Sequence, residues 1–587
     1  MRTLRLTPRT AALLIAACVA VAYLNSLGGR FVMDDQCEIV DNPVIRTLVP
    51  PWRAMFVGRL LPARPLPYLT FAIDYACWGP RPLGYHITNL VIHTIAALAL
   101  LAFARLTLAA PRFHGTVGDH ALPLALCITV LWAVHPLNTQ AVTYVYQRIE
   151  SMTGMFCLVS LAAFAQAAAS GWDRRWLAGC VLAAAAAMAS KENAVVLPLL
   201  ILSYDWLVVA EPGGLRRRRW FYAALFATWA VLAACLIVQA SSYQEFQGIS
   251  HPPLAYALTQ PRVILHYLRL ALWPTGQCFD MPWKISETWR EIIPSLLYML
   301  AILAVIAGGV ARRRSWSWLG VAFLLALAPT SSIMPVAAPA AEHRMYLPLA
   351  AVAAAVVLGC HALLRRRVPA GAGRALALRA AAVATAAAVV ILVLLTQARN
   401  ELYAIPGGIW LDVLQRQPNN GRALWNLAIT CTELGDLETA LPYADRAAGD
   451  DPRHPVYDDM TSNRLAAGDL AGAECVLRHA VLKQTELAGA AADVTLGSAS
   501  NLATLLRKQR RFAEAEVVAR AALAAARQPG GPAGDSFRRL EGDLTAILEE
   551  AGRAEAAAAS DRLPPHQPTS DPRPSADSAP RPRDPRP

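Results

Sequence analysis

Eleven predominantly apolar runs dominate this chain, near residues 11–27, 85–108, 121–137, 152–170, 175–190, 193–210, 220–240, 292–311, 316–330, 346–364 and 379–397. A hydrocarbon core about 30 Å thick is crossed by about 20 such residues in a helix, and a helix satisfies its own backbone in lipid. The chain is therefore expected to be all-α and polytopic, with the shorter runs tilted or continued into the interface. Composition agrees: 55% of the 587 residues are apolar and 16% charged, against roughly 25% charged in a soluble domain. Too little charge remains to coat a soluble surface, which disfavours a soluble enzyme, a secreted disulfide scaffold or a disordered chain. The cations behind the net charge of +12 include only four lysines, Lys191, Lys284, Lys483 and Lys508. Such an arginine bias beside so much alanine points to GC-rich codon usage, so no nucleic-acid partner is expected. Cys18, Cys127, Cys157, Cys180, Cys235 and Cys360 lie in the apolar runs, where a thiol acts as a small hydrophobe. No CxxC motif is present for zinc or redox chemistry.

Arginine clusters orient the runs. They fall at Arg2/Arg5/Arg9, Arg105/Arg112, Arg174/Arg175, Arg216–Arg219, Arg312–Arg314 and Arg365–Arg367. With eleven spans and a cytoplasmic N-terminus, every cluster lands on the cytoplasmic side, as the positive-inside rule requires. Counting residues 261–273 as a further span would invert everything after them. That segment carries Arg262, His266 and Arg269 on one stripe and reads instead as an interfacial amphipathic helix. A signal peptide ending near Ala20–Ala22 is the alternative for the first run, disfavoured because ten further spans follow. The expected organisation is a membrane domain over 1–397 with a long first exterior loop at 28–84, a soluble domain over 398–562 and a disordered Pro/Arg-rich tail over 563–587. The loop and the soluble domain would both face the periplasm or an equivalent exterior of the inner (plasma) membrane. Cys37 and Cys77 share that loop, and a disulfide between them is expected if the compartment is oxidising.

The soluble part reads as helical repeats. Leu427, Ala428, Cys431, Gly435, Ala440, Ala444, Ala447 and Pro452 occupy the small and apolar positions of a 34-residue tetratricopeptide repeat. A second copy follows 33 residues on with Gly468, Ala473 and Ala480, a third carries Asn501–Ala503, Ala515 and Ala522, and a partial fourth has Leu544, Gly552 and Ala557. Stacked repeats share a continuous core, so the expectation is an α-solenoid; an Ala-rich bundle of no particular family is the plainer reading.

Polar residues gather where the spans meet the exterior. Asp34 and Asp35 open the first loop; Arg64 follows; His135, Gln147, Arg148 and Glu150 join the third and fourth spans; Lys191 and Glu192 join the fifth and sixth; Glu342, His343 and Arg344 precede the tenth. Ionisable groups at span ends are costly unless hydrated or paired, which makes them functional candidates. Paired carboxylates beside several cations are suited to holding an anionic phosphate while a hydroxyl is deprotonated. An Asp pair beside a phosphate is also able to hold Mg²⁺, although no metal ligand set is assigned.

The blocks FVMDDQCEIVDNP, RPLPYLTFAIDY, GYHITNLVIH, HPLNTQAVTYVYQRIES, KENAVVLPLLILSYDW and AEHRMYLPL, in this order and followed by repeats, resemble the GT-C type transmembrane and tetratricopeptide-repeat O-mannosyltransferases of eukaryotes and their bacterial relatives. The resemblance covers about residues 10–560. It implies a GT-C-like membrane fold with a catalytic first exterior loop. It also implies transfer of a sugar, mannose in the eukaryotic members, from a polyprenyl-phosphate donor to Ser or Thr hydroxyls of exported proteins. No nucleotide sugar is implied at the site.

On that resemblance Asp34 or Asp35 is the catalytic base; adjacent residues of an extended segment face opposite ways, so one of them faces substrate, and Asp34 is the choice. Arg148, Arg344, Lys191 and His343 are candidates to hold the donor phosphate. Arg64, His135, Gln147, Glu150, Glu192 and Glu342 are supporting residues, while Gln36 and Asn42 shape the loop. The plainer readings stand beside these: a helix or turn cap for the Asp pair, structural or snorkelling ion pairs for the arginines, an internal pair for Lys191–Glu192 and structural histidines. The expected partners are membrane lipid, the lipid-linked donor and acceptor polypeptides presented by the repeats. The alternative function is a non-catalytic membrane scaffold displaying the repeats. A transporter is disfavoured because no matched pair of Gly/Pro-broken helices appears.

Overall fold

The computed structural model describes residues 6–56, 64–240, 252–281, 283–332, 335–336, 338–527 and 535–560. All regular structure among them is helical. The expected tail at 563–587 and the first two arginines of the N-terminal cluster lie outside the described residues.

Each of the eleven apolar runs coincides with a helical segment, but not all of these are alike. Eight are long and apolar enough to cross a bilayer: Pro8–Gly28, Pro82–Leu108, Arg148–Ala169, Glu192–Val209, Arg219–Val238, Trp289–Ala311, Pro348–Arg367 and Ala372–Ala404. A ninth, Val117–Ala133 with Pro136–Val142, is bent by 52°. Among the described residues, eight helices, or nine with the bent pair, thus meet this length and composition, against the eleven spans expected. The run at 175–190 yields the 15-residue helix Arg174–Met188, and that at 316–330 the 11-residue Ser317–Leu327. The bend follows from chemistry: Pro136 brings no N–H to the helix, and the His135 ring accepts from the freed Leu137 N–H at 3.2 Å. Of residues 261–273 all but Trp273, which caps the end, lie in the helix Pro253–Leu272, which buries Tyr256, Val263, Ile264, Tyr267 and Leu270.

Prolines start many of these helices. Pro8, Pro65, Pro82, Pro253 and Pro348 all sit at the first turn, where the missing N–H costs nothing and φ is already helical. The Thr7 and Thr10 side chains complete a capping box for the first helix. The last helix, Ala372–Ala404, has none of its most apolar window buried, and Pro348–Arg367 and Trp289–Ala311 only 22% each. Such continuous apolar faces are stable only with lipid against them.

The first compact unit comprises Met1–Thr430. Pro82–Leu108 and Arg148–Ala169 pack side by side at its centre. Beneath the polar face, Tyr23, His93, Trp132 and Tyr346 pack ring to ring. The His93 nitrogens meet the Tyr346 hydroxyl at 2.8 Å and the Ala133 carbonyl at 2.9 Å, and the Trp132 indole donates to the Tyr346 carbonyl at 2.8 Å. Gly154 permits this packing, since a Cβ there would stand 2.5 Å from the Tyr346 ring.

The second unit, Cys431–Pro587, holds the helices Leu437–Ala448, Val456–Ala466, Leu470–Ala488, Asp493–Lys508, Phe512–Ala526 and Asp535–Ser560. The turn before the second of a helix pair recurs. Gly435 and Gly468 take positive φ, and the following Asp436 and Asp469 accept from the amides of Thr439 and Gly472, each capping the next helix. At the third such turn Arg510 takes φ 60° in place of a glycine, and Arg511 bonds Glu474 and Glu514.

Candidate functional site

The described residues of the segment after the first helix form a series of short turns and two helices, Pro51–Phe56 and Pro65–Trp78. Its start is pinned by the top of the last helix of the membrane half. The Arg30 amide donates to the Tyr403 carbonyl at 3.0 Å, and Asn400 donates to the Ala22 carbonyl and to Asn25 Oδ1 while accepting from Thr143 at 2.6 Å. Met33 then adopts φ 51° immediately before Asp34, a left-handed conformation rare for such a residue.

This turn separates the two aspartates. Asp35 is fully buried, and its carboxylate accepts from the Val32 amide at 2.9 Å and the Tyr146 amide at 2.7 Å. Burial pushes its pKa well above the ordinary carboxylate range despite these two amides. Both oxygens are thus committed to fastening the turn onto segment 144–147. Asp34 is only partly buried. Its amide donates to the Tyr144 hydroxyl at 3.0 Å. Burial raises its pKa, with the Tyr144 hydroxyl, Arg422 and Arg64 offsetting part of the rise. A carboxylate in this setting is a stronger base than one in water.

Cations stand around the same face. Arg64, 6% exposed, reaches both Glu192 oxygens at 3.1 and 3.3 Å and the Tyr146 hydroxyl at 3.4 Å, leaving its buried Nε without a partner. Lys191 pairs with Glu150 at 2.7 Å. The His343 amide and Nδ1 both meet Gln140 Oε1, at 2.8 and 3.2 Å. Burial, reinforced by Lys191, Arg344 and Arg64, holds the His343 imidazole well below its ordinary pKa and so neutral. Gln147 Oε1 and Asn193 Oδ1 are also buried without partners, a pattern that native interiors reserve for waters or ligands.

Other expected site residues lie elsewhere or are fully occupied. Arg148 is 0% exposed. It pairs with Asp74 at 2.6 Å, donates to Asn89 at 2.6 Å, Tyr85 O at 2.9 Å and Thr70 at 3.0 Å, and lies 4.6 Å over the Phe71 ring. With its N–H groups so engaged it staples Pro65–Trp78 and Pro82–Leu108 to its own helix, and the expected phosphate contact is corrected to a structural one. Arg344 donates to the carbonyls of Pro339 at 3.0 Å and Ala338 at 2.5 Å, bracing the loop before it. Glu342 is buried and accepts from the Cys278 amide at 2.6 Å and Gln277 at 3.4 Å. His135 is tied to Ala271 O at 3.2 Å as well as to the Leu137 amide. Glu192 pairs with Arg64, not with Lys191. Gln36 and Asn42 bond within the loop, to Asp41 and to the backbone of Glu38 and Val44. Cys37 and Cys77 are both free thiols, Cys77 exposed on its helix, so the expected disulfide is not formed. Among the described residues no three His, Cys, Asp or Glu side chains gather as a metal site.

Several residues of the site escaped the sequence reading. Glu38 is buried, with Tyr68 donating to it at 2.5 Å; it follows Asp35 by three residues, the spacing at which side chains share one face of a helical turn. Tyr144 and Tyr146 lie in the run of tight turns that leads into Arg148–Ala169 and present hydroxyls to the Asp34 amide and to Arg64. The segment between Pro253–Leu272 and Trp289–Ala311 roofs the area. Phe279 packs on Tyr144, Tyr403 and Trp410, and Asp280 pairs with Arg422 at 2.8 Å. Beside it opens a polar cleft of about 1120 Å³ lined by Trp283, Lys284, Glu287, Glu291, Gln417 and Asn419 among others.

Fold and site together define a polytopic helical membrane protein with a partly buried carboxylate, Asp34, whose charge is favoured by Arg422 and Arg64. No protein-family model matches the chain. Its sequence is similar to curated protein O-mannosyl-transferases. It is 25% identical to protein O-mannosyl-transferase F38B6.6 of Caenorhabditis elegans, over 58% of this chain and 49% of that one. It is 26% identical to Tmtc3 of Drosophila melanogaster, over 60% and 46%, and 26% identical to TMTC4 of Mus musculus, over 61% and 56%. The chain thus spans about half the length of the curated relatives it matches. Among solved structures it is similar to ArnT from Cupriavidus metallidurans bound to undecaprenyl phosphate, with 14% identity over 81% of this chain and 80% of that one and a TM-score of 0.37.

Proposed function

We propose that the chain is a GT-C-like membrane glycosyltransferase that moves a sugar, mannose by analogy with its named relatives, from a polyprenyl-phosphate donor to a Ser or Thr hydroxyl of an exported polypeptide. Asp34 is the base. The acceptor oxygen attacks the anomeric carbon, the bond from that carbon to the phosphate oxygen breaks with its electron pair leaving on the lipid phosphate, and the acceptor proton passes to Asp34. Charge on the departing phosphate grows in the transition state. Fixed cations stabilise it there more than in the ground state, which is what accelerates the step. Arg64 and Lys191 supply those charges, and the neutral His343 offers a ring nitrogen for a hydrogen bond. Asp35, Arg148, Arg344 and Glu342 are positioning residues. The polar cleft beside Trp283 admits the acceptor segment, and the helix pairs of the second unit, read as tetratricopeptide repeats, present it. The active face and the repeats stand on the exterior side of the membrane, with the Arg-rich ends inside.

The observation that carries this reading is the division of labour in the Asp pair: Asp35 spends both oxygens on backbone amides, whereas Asp34 keeps a carboxylate with raised basicity among cations. Asp34→Asn keeps shape but removes the base, a loss of about 10²–10⁴ in rate, with donor-lipid binding and insertion retained. Unchanged transfer of sugar to protein by Asp34→Asn, measured by mass spectrometry of acceptor proteins against wild type, excludes carboxylate catalysis and favours the scaffold.

A further inference from the structure

Along the same helices, and reaching their opposite end, runs a second, chemically different cavity. It holds about 660 Å³, within the range of small-molecule sites and equivalent to about twenty waters of liquid volume. The helix Pro82–Leu108 fixes its distance from the carboxylate. Tyr85 at one end packs on Phe31 beside the Asp34 turn, whereas the cavity is lined from Leu100 to Leu108, roughly 20–35 Å further along at the rise of a helix. Pro348–Arg367 repeats the pattern: its start adjoins Glu342–Met345, and Ala350 to Ala362 face the cavity.

The lining is asymmetric along this axis. Most of it is aliphatic or aromatic, and its hydroxyl side chains are Thr107, Thr116 and Ser315. Each of these sits at the Arg-rich end of its element or in the links joining those ends. Arginines adjoin these lining residues in sequence or by contact. Arg112 donates to the Leu207 and Val208 carbonyls, and Arg365 to those of Gly115 and Thr116 with Asp119 3.7 Å away. Arg313 lies 5.2 Å over the Trp206 ring, and Arg312 and Arg314 are exposed beside Ser315. A long dry pocket with hydroxyls and guanidinium groups at one mouth matches an amphiphile with an apolar tail and an anionic head. Water gains little in such a lining, since an apolar cavity offers it too few hydrogen-bond partners.

We propose that this cavity is a lipid site, distinct from the donor site, that takes one anionic glycerophospholipid from the leaflet at the Arg-rich end. One acyl chain lies between Leu100, Leu158 and Ala354, and the phosphate meets Arg312, Arg314 and the Ser315 hydroxyl at the rim. Adjacent basic side chains favour an anionic head over a zwitterionic one. The polyprenyl tail of the donor is the rival occupant, but its phosphate would belong among the cations at the other end.

The test exploits Gly359, which lines the cavity and where an added Cβ meets nothing within 4 Å. The full chain is purified in a mild detergent, and the lipids that stay with it are quantified by mass spectrometry. The expected result is an acidic glycerophospholipid retained by the wild type and by Gly359→Ala. Gly359→Leu, which fills the tail pocket, should reduce it roughly tenfold while the protein still elutes as a single species. Arg312→Gln with Arg314→Gln should lower the preference for acidic over zwitterionic lipid. Should the leucine variant fail to fold, phospholipids with brominated chains added to the wild type provide the second measurement. Trp316 and Trp318 line the cavity, so their fluorescence should be quenched more by the anionic than by the zwitterionic lipid. Recovery of a polyprenyl phosphate in place of the glycerophospholipid, undiminished lipid on Gly359→Leu, or equal quenching by both head groups would each overturn the proposal.

Discussion

Replacing Arg148 separates a structural guanidinium from a phosphate-binding one. Arg148→Met keeps the length and much of the contact with Phe71 but strands the Asp74 carboxylate, itself 4% exposed, without its counter-charge. Removing one partner of a buried pair destabilises by about 3–5 kcal/mol. Asn89, Thr70 and the Tyr85 carbonyl lose donors as well, at about 1–3 kcal/mol for each polar group left unsatisfied. These losses overlap, so the larger single figure, about 3–5 kcal/mol, is the expectation; at about 1.4 kcal/mol per decade it lowers the folded-to-unfolded ratio at least a hundredfold. Arg148→Met with Asp74→Leu removes both charges and should recover part of the loss. The assay is thermal unfolding of the purified protein in detergent, run beside binding of a polyprenyl-phosphate donor. If Arg148→Met unfolded at the wild-type temperature and lost donor affinity alone, the structural assignment would be refuted and the guanidinium would belong to the donor site.

Asp35→Asn should act on the fold as well as on rate: an amide NH₂ must face either the Val32 or the Tyr146 N–H, and the unpaired donors cost about 1–3 kcal/mol, read as a lowered unfolding temperature that Asp34→Asn does not share. The transfer rate should fall as pH drops through the Asp34 pKa, because the base works only when ionised. Since burial raises that pKa, the acid limb of kcat/KM should lie above the ordinary aspartate value of about 3.9, and Asp34→Asn should abolish it; an acid limb at or below that value contradicts the burial argument. Removal of residues 418–562 should impair sugar transfer to native proteins far more than donor binding, and full-rate transfer by the truncated chain would rule out a presenting role for the repeats.

Hydropathy locates segments by composition, which is why each of the eleven apolar runs falls on a helical segment. It places ends closely, the 175–190 run being the helix Arg174–Met188. It cannot see a bend: the 121–137 run turns because Pro136 breaks its ladder and the His135 ring takes the freed amide. The pairing of charges was hidden for a similar reason. Arg148 and Asp74 are far apart in sequence, and only the packing of three helices brings them within 2.6 Å. Read alone, Arg148 is an outward cation at a span end; in the fold it is a buried staple. The Asp34–Asp35 step was legible only in outcome: an extended segment was expected, but both residues are helical and lead into Gln36–Val40, and it is the Met33 turn that buries Asp35 while leaving Asp34 partly open. Glu38 stood three residues from Asp35 in the same block, but nothing in the pattern announced that Tyr68 would come to meet it.

The helix Ala372–Ala404 runs unbroken for 33 residues, about 50 Å at 1.5 Å per residue, while the hydrocarbon it traverses is about 30 Å thick. Its last turn holds the Arg30 amide through Tyr403 and the Ala22–Asn25 corner through Asn400. The apolar part of the helix, near 379–397, is close in length to the thickness of that layer, so the turns beyond it stand clear of the hydrocarbon. Those turns carry Asn400 and Tyr403, and through them the acidic turn is held at a set height above the apolar layer.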